Sequence, residues 1–478
     1  MINMKNKLWI IGFFMITLSL QAQPPSIMQE EYLNHQFDVY PSAIDNHDQI
    51  IGLSPLRRNA ELTHAVFGYL PDWEYNYAYP NLRYDLLTHI SVFSFDVSAQ
   101  GSFTYPGRWP WTDLINQAHQ NGVKVIATVV NFTTASIKTL MTQEQPKQTM
   151  FSNLKTILET YKLDGVNIDF ENVASEDRSK VNTFMTELKS YLDNNLPGME
   201  VSFAAPAVNW GGWNLKGLAN ACDYLFVMGY DFYGSWSTTS GPVAPLAGGS
   251  YHITNTVTSQ YNGIPGEKLI LGAPYYGRQW ETETENAYSK VVKYIKATYF
   301  RDDYTKSLQY GVQWDNTSRT PWYRFQQNGK WYQTWFDNDS SLSLKYQLAK
   351  SKSWRGVGMW ALGEDGSRTE LWELLETMFT GQTGLDEIQS LPSTPPVKVY
   401  PNPASQSVSL EFYLPQPGNV NVTLSNLLGQ TVWIQNSIHL NSGPQELACP
   451  IASLPSGIYF FTLCLPSGTQ SGKFMILH

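Results

Sequence analysis

Positive charge is scarce in this chain. Its 478 residues carry 32 Lys and Arg against 41 Asp and Glu, a formal net charge of −9. That balance excludes a nucleic-acid phosphate backbone or an anionic lipid surface as the main partner, while a neutral polysaccharide would not be repelled. Cysteine is nearly absent. Cys222, Cys449 and Cys464 fit no zinc or redox spacing. Cys449 and Cys464 share the C-terminal region, where either a pair formed after export or two buried free thiols would account for them. Long apolar runs are missing too. Leu8–Leu20 is too short to span a bilayer comfortably, and no later stretch is longer. Lys5 and Lys7 precede this run and Ala22 follows it, the three-part plan of a secretory signal peptide over residues 1–22. No membrane span is then expected after its removal. There is no His-Glu-x-x-His, P-loop or dinucleotide fingerprint, so neither a metal nor an organic cofactor is expected.

Aromatic residues, by contrast, are abundant: 16 Trp, 28 Tyr and 22 Phe. Most belong in cores. The excess also suits a carbohydrate partner, because aromatic faces stack on the apolar faces of pyranose rings. Hydrophobic residues at 42% and charged residues at 15% allow sizeable cores.

Residues 23–62 are polar and without clear periodicity, and read as an N-terminal extension packed on the domain that follows. From residue 63 to 382, short apolar runs alternate with helix-period sequence: Ala65–Tyr69, His89–Phe95, Lys124–Val130, Gly165–Phe170, Glu200–Ala205, Tyr224–Tyr230, Lys268–Ala273 and Gly356–Ala361. Strands alternating with helices indicate a parallel sheet, and eight such units fit a closed α/β (β/α)8 barrel of the TIM type. The longer stretch between the last two runs, roughly 280–350, predicts a small Trp- and Tyr-rich insertion lobe beside a cleft. Residues 383–396 turn to Ser, Pro, Thr and Gly and read as a linker. Residues 397–478 alternate short β-rich runs (Val397–Tyr400, Val408–Tyr413, Val420–Ser425, Thr431–Gln435 and Gly457–Cys464) with turn residues, predicting a C-terminal all-β sandwich.

The strongest local signal is Asp164-Gly165-Val166-Asn167-Ile168-Asp169-Phe170-Glu171. As a strand, it puts Asn167, Asp169 and Glu171 on one face and Val166, Ile168 and Phe170 on the other. A surface strand with a polar face does not explain outer residues that are all bulky and apolar, since parallel barrel strands are buried on both sides. Glu171 falls at the C-terminal strand end, where barrel active sites form.

The sequence here resembles glycoside hydrolase family 18, whose signature is Asp-Gly-x-Asp-x-Asp-x-Glu on the fourth strand. The match holds at Asp164, Gly165, Asp169 and Glu171 and departs at Asn167. Gly68-Tyr69 with Trp73 resembles the family's first strand and loop. Met228-Gly-Tyr230-Asp231 resembles the sixth, Gly272-Ala-Pro-Tyr-Tyr276-Gly277 the seventh and Gly356-Val-Gly-Met-Trp360 the eighth. The resemblance covers roughly residues 63–380. It implies cleavage beside an N-acetylglucosamine unit, with the substrate's own acetamide oxygen attacking the anomeric carbon. Glu171 would be the acid and then the base, Asp169 would hold the acetamide N–H, and Tyr230 would position the acetamide oxygen. Asp231, Trp360, Tyr69, Trp73, Met228 and Tyr276 would bind the sugar.

Asn167 cannot ionise, and its amide is expected to donate to Asp169 and keep that carboxylate charged. The third strand, Thr128-Val-Val-Asn131, lacks the Ser-x-Gly-Gly common in chitinases. Both departures leave bacterial wall peptidoglycan or N-glycan cores open beside chitin as substrate. A non-catalytic glycan-binding barrel is disfavoured, since such relatives usually lose the acid that Glu171 supplies.

At the C-terminus, Tyr400-Pro-Asn-Pro-Ala404, Leu454-Pro-Ser-Gly-Ile-Tyr459 and the closing run from Gly472 resemble the sorting domain of type IX secretion substrates. That resemblance implies outer-membrane export through the secretion machinery, leaving the protein secreted or at the cell surface.

Overall fold

The computed structural model describes residues 25–41, 44–54, 62–380, 397–414, 416–426, 431–465 and 468–477. The expected signal peptide and linker lie outside the described residues. Contacts divide the chain into two units, one ending at Gly381 and one beginning at Gln382.

The first unit is a closed barrel. Its strands are β1 (Ala65–Pro71), β2 (His89–Val97), β3 (Lys124–Asn131), β4 (Gly165–Phe170), β5 (Glu200–Pro206), β6 (Tyr224–Met228), β7 (Leu269–Pro274) and β8 (Gly356–Trp360). Each pairs in parallel with its neighbour, and β1 closes the ring by pairing with both β2 and β8. β4 shows why the sequence folds this way. Val166, Ile168 and Phe170 are buried under the outer helices, while Asn167 and Asp169 are buried inside the ring. The helix Lys180–Asn195 buries Val181, Phe184, Met185, Leu188 and Leu192, the three- and four-residue spacing of a helix with one apolar stripe.

The barrel interior is filled by side chains, as closed eight-stranded barrels require. Phe226 of β6 is its central plug, with Phe67 and Tyr69 at ring-centroid distances of 5.3 and 4.8 Å. The ring fits because β7 and β8 offer glycines opposite it. A Cβ at Gly272 would come within 2.3 Å of Phe226, and one at Gly358 within 2.4 Å.

The expected insertion lobe is a five-stranded antiparallel sheet with the helix Phe300–Tyr310. Its strands are Tyr276–Thr282, Val291–Tyr299, Gln313–Asp315, Thr320–Gln327 and Lys330–Trp335. The first follows β7 almost directly, so the lobe is rooted at the barrel mouth.

The N-terminal extension does more than pack on the outside. Its helix α1 (Ile27–His35) enters the barrel mouth, and Ile27 and Met28 are wholly buried within the barrel's apolar core. No helix among the described residues is long and apolar enough to cross a membrane.

The second unit contains a three-stranded and a four-stranded antiparallel sheet. Val408, Leu410, Phe412 and Leu414 alternate inward from one sheet, Val420, Val422 and Leu424 from the other, and together they form one apolar core. The strand Gly443–Pro450 was not foreseen. Cys449 lies on it as a buried free thiol, so no pairing with Cys464 is made.

Candidate active site

The C-terminal ends of β4, β6 and β8 converge on one hollow, and the foot of the insertion lobe closes its side. Asp169 stands at its floor, fully buried, and neither of its carboxylate oxygens has a hydrogen-bond partner. Burial and the neighbouring Glu171 charge push its pKa well above the ordinary carboxylate range. Glu171, two residues on, is 9% exposed. Burial is the main cause that pushes it up to about 7, with the charge of Asp231 acting in the same direction and a hydrogen bond from Ser26 opposing.

Asn167 does not play the part expected of it. Its side-chain oxygen accepts from the Tyr69 hydroxyl at 2.8 Å, and its amide donates to Ser202 Oγ at 2.8 Å. Ser202 is its register partner on β5. A short side chain inside a barrel reaches its own layer sooner than the layer above, so the amide is used up before it reaches Asp169. Burial then favours the neutral form of Asp169 in the resting site, not the charged one.

Beyond β6 the chain turns sharply. Tyr230 is 4% exposed. Asp231 takes a left-handed backbone conformation (φ 60°) that Asp tolerates better than most residues. The turn aims its carboxylate back into the hollow. There Oδ1 accepts from the Tyr276 hydroxyl at 2.7 Å and from the Arg278 guanidinium at 2.6 and 3.2 Å. Tyr276 and Arg278 are two apart on the lobe's first strand, so both face the same way. Arg278 was not anticipated. It is fully buried and also donates to Glu30 at 2.7 Å and the Tyr294 hydroxyl at 2.8 Å. Its sequence signal, alternation with Tyr276 just beyond a barrel strand, was available.

Trp360, at the end of β8, is fully buried. Phe93 meets its ring edge-on at 4.8 Å, with Tyr69 at 5.7 Å and Trp73 at 6.5 Å. Met228 ends β6 half-buried, in register with Gly272. The ten residues singled out from the sequence thus fall into one neighbourhood, except that Asn167 and Tyr69 bond to each other one layer deeper. Asp164, which opens the signature, lies elsewhere. Its carboxylate accepts from the Val125 N–H at 2.7 Å and pairs with His119 at 2.9 Å. Its place is structural.

The hollow is occupied by the chain itself. Ser26, the N-cap of α1, donates from Oγ to Glu171 Oε1 at 2.5 Å. The Ile27 N–H donates to Asp231 Oδ2 at 2.6 Å, and the Tyr230 hydroxyl lies 3.9 Å from Met28 Sδ. Trp360 Nε1 donates to Glu31 Oε2 at 2.9 Å, and His35 stacks on Trp73 at 4.6 Å. Ser26 followed by Gln29 is a helix-start pattern that the sequence did display.

The chain is similar to several known proteins. The putative sporulation-specific glycosylase YdhD of Bacillus subtilis is 25% identical over 286 residues, 57% of this chain and 65% of its own length. Di-N-acetylchitobiase of Mus musculus is 29% identical over 226 residues, 41% of this chain and 60% of its own. The alignments thus span a little under two thirds of these relatives' lengths. The solved group IV chitinase of Ostrinia furnacalis shares the barrel, with a TM-score of 0.58 at 21% identity over 66% of this chain and 98% of that one. Residues 398–477 match the secretion system C-terminal sorting domain, which assigns the chain to export, at the cell surface or beyond it. Residues 53–365 match the family model of glycosyl hydrolases family 18, and with the closed barrel and the acidic strand end in place, the chain belongs to that family of glycosidases.

Proposed function

We propose that this glycosidase cleaves β-1,4-linked N-acetylglucosamine polymers of the chitin type with retention, through participation of the substrate acetamide. The supporting observation is the pair Asp169 and Glu171 on one buried strand, with Glu171 pushed up to about 7. An acid with that pKa still holds its proton near neutral pH and can deliver it to the glycosidic oxygen. As the leaving-group bond breaks, the acetamide oxygen attacks the anomeric carbon and forms a positively charged oxazolinium ring. Asp169 has two unpartnered oxygens. Asp169 releases its resting proton to solvent when the hollow opens for the sugar, and the carboxylate then accepts the acetamide N–H and offsets the positive ring as charge develops. Glu171, now ionised, takes a proton from water as that water opens the ring from the same face. Tyr230 aligns the acetamide oxygen, Asp231 holds the distorted sugar, and Trp360, with Tyr69, Trp73, Met228 and Tyr276 around it, carries its apolar face.

A second reading keeps the chemistry and changes the polymer to bacterial wall glycan. It is favoured by Asn167, by the third strand without Ser-x-Gly-Gly, and by the likeness to a sporulation-specific glycosylase. The test uses a chain with a protease site inserted between Phe37 and Asp38, cut so that a filled hollow is not mistaken for inert chemistry. The cut protein should hydrolyse 4-methylumbelliferyl chitotrioside and release the β-anomer first. Glu171→Gln should lose a factor of roughly 10² to 10⁴. An α-anomer first product, or undiminished turnover in Glu171→Gln, defeats the mechanism. Product analysis on colloidal chitin beside purified peptidoglycan decides between the polymers.

A further inference from the structure

We infer that residues 26–35 are an autoinhibitory segment that closes the catalytic hollow and competes with the glycan for it. The inference rests on the active-site reading above.

The contacts of α1 single out the residues with chemical roles. The Ser26 hydroxyl sits 2.5 Å from Oε1 of Glu171, the carboxyl that must reach the scissile bond. The Ile27 N–H, one of the unpaired donors of a helix start, is 2.6 Å from Asp231. Met28 lies against the Tyr230 hydroxyl, and Glu31 takes the indole N–H of Trp360. With α1 in place Asp169 and Trp360 are wholly covered and Tyr230 is 4% exposed, which leaves no face for a pyranose ring. A purely structural strap would bond to scaffold groups. This one places a hydroxyl on an acid, an N–H on a carboxylate, a thioether against a phenol and a carboxylate on an indole, the groups that a sugar would otherwise engage.

The segment is also fastened at the sides of the hollow. Glu30 accepts from Arg278 at 2.7 Å, and Tyr32 donates to Asp96 at 2.7 Å. Beyond α1 the chain runs out to solvent, with Phe37 84% and Val39 93% exposed. Tethered this way, α1 binds its site intramolecularly. A cut after it turns the contact into a bimolecular one that dilution can reverse.

The experiment compares four samples: the intact chain, the chain cut at a protease site between Phe37 and Asp38, the cut chain with a synthetic peptide of residues 24–38, and an uncut Ser26→Ala/Ile27→Pro variant. Proline at the first helical position keeps the helix, removes the N–H that Asp231 accepts and trims the buried Ile27 side chain, both of which loosen the segment, and Ser26 is already extended (ψ 169°), as a residue before proline must be. Chitotriose binding is read by calorimetry and turnover with the fluorogenic chitotrioside. Losing a hydrogen bond to a charged group is worth about tenfold. Cutting should therefore raise both affinity and kcat/KM by at least about tenfold, and the peptide should reverse the gain competitively. The uncut double variant should show a gain of the same sign. Equal binding and turnover in intact and cut chains overturns autoinhibition and leaves the hydrolase reading standing. Tighter sugar binding without turnover after cutting upholds the closed hollow and defeats the hydrolase reading. Absence of chitotriose binding in the cut, folded chain overturns the proposal. Circular dichroism of each sample separates these results from misfolding.

Discussion

Replacing Asn167 with Asp restores the residue usual in the family signature, and the structure predicts that here it is costly. Asn167 is fully buried and both ends of its amide are satisfied, by Tyr69 and by Ser202. An Asp at this position keeps an acceptor for Tyr69 but loses the donor toward Ser202, whose hydroxyl can rotate to donate instead. The larger effect is charge. The new carboxyl would be buried one layer below Asp169, whose own pKa is already well above the ordinary range. Its folded-state pKa should therefore rise above the unfolded value of about 3.9. A carboxyl raised on folding binds more protons folded than unfolded, so its stability cost is absent below the unfolded pKa. The cost then grows with pH until the folded pKa is reached. Each unit of pH in that window costs about 1.4 kcal/mol, so between pH 4.5 and pH 7 the variant should lose roughly 3 kcal/mol relative to the parent. Urea unfolding of both chains at the two pH values, followed by barrel tryptophan fluorescence, measures this as a difference of differences. Groups common to both chains then cancel. A variant whose deficit is the same at both pH values refutes the layered arrangement, and with it the claim that Asn167 serves the scaffold. The pH–rate profile of the cut variant adds a check on chemistry. A basic limb unchanged from that of the cut parent would remove any coupling of position 167 to Asp169 and Glu171.

Four further outcomes are expected. In the cut chain, activity should fall on the basic side as Glu171 loses the proton it must donate, and Asp231→Asn, which removes a charge that raises the Glu171 pKa, should move that limb to lower pH. Arg278→Met leaves the half-buried Asp231 carboxylate beside Tyr276 without its cation, and urea unfolding should show a loss of about 3 kcal/mol. Asp164→Ala strands the Val125 N–H and buried His119 and should cost about 1–3 kcal/mol by the same assay, while kcat in the cut chain keeps its pH profile. Burial pushes the Cys449 thiol up to about 11, so it should resist a thiol reagent at pH 8 until denaturant unfolds the second unit, and prompt labelling of the folded chain would contradict its placement.

The barrel was legible because parallel strands are buried on both faces and read as apolar runs. At β4 that rule makes Asn167, Asp169 and Glu171 conspicuous, and alternation alone assigns their common face. What pairs with them was not legible. The Tyr69 partner of Asn167 is 98 residues away, brought near only by closure of the ring. Helix α1 escaped notice for a different reason. It docks by its first turn, burying Ile27 and Met28, while Leu33 is 45% exposed, so no apolar stripe runs along it. The missed strand Gly443–Pro450 carries Pro at 444 and 450 and lies at the edge of its sheet, where proline is tolerated but the β signal is weak. The expected strand Tyr224–Tyr230 overran because Met228 to Tyr230 is apolar enough to continue it, whereas the chain turns there to deliver Tyr230 and Asp231.

The ring of Phe226 leaves its imprint at two paired positions, Gly272 and Gly358, where β7 and β8 give up their side chains to make room for it. Three positions on three strands therefore describe a single volume. A smaller residue at 226 opens a void that neither glycine can fill alone, and a methyl group at either glycine collides with the ring. Sequence drift at the heart of this barrel should proceed by joint replacement, so a relative with a lighter residue at 226 should carry bulk at 272 or 358.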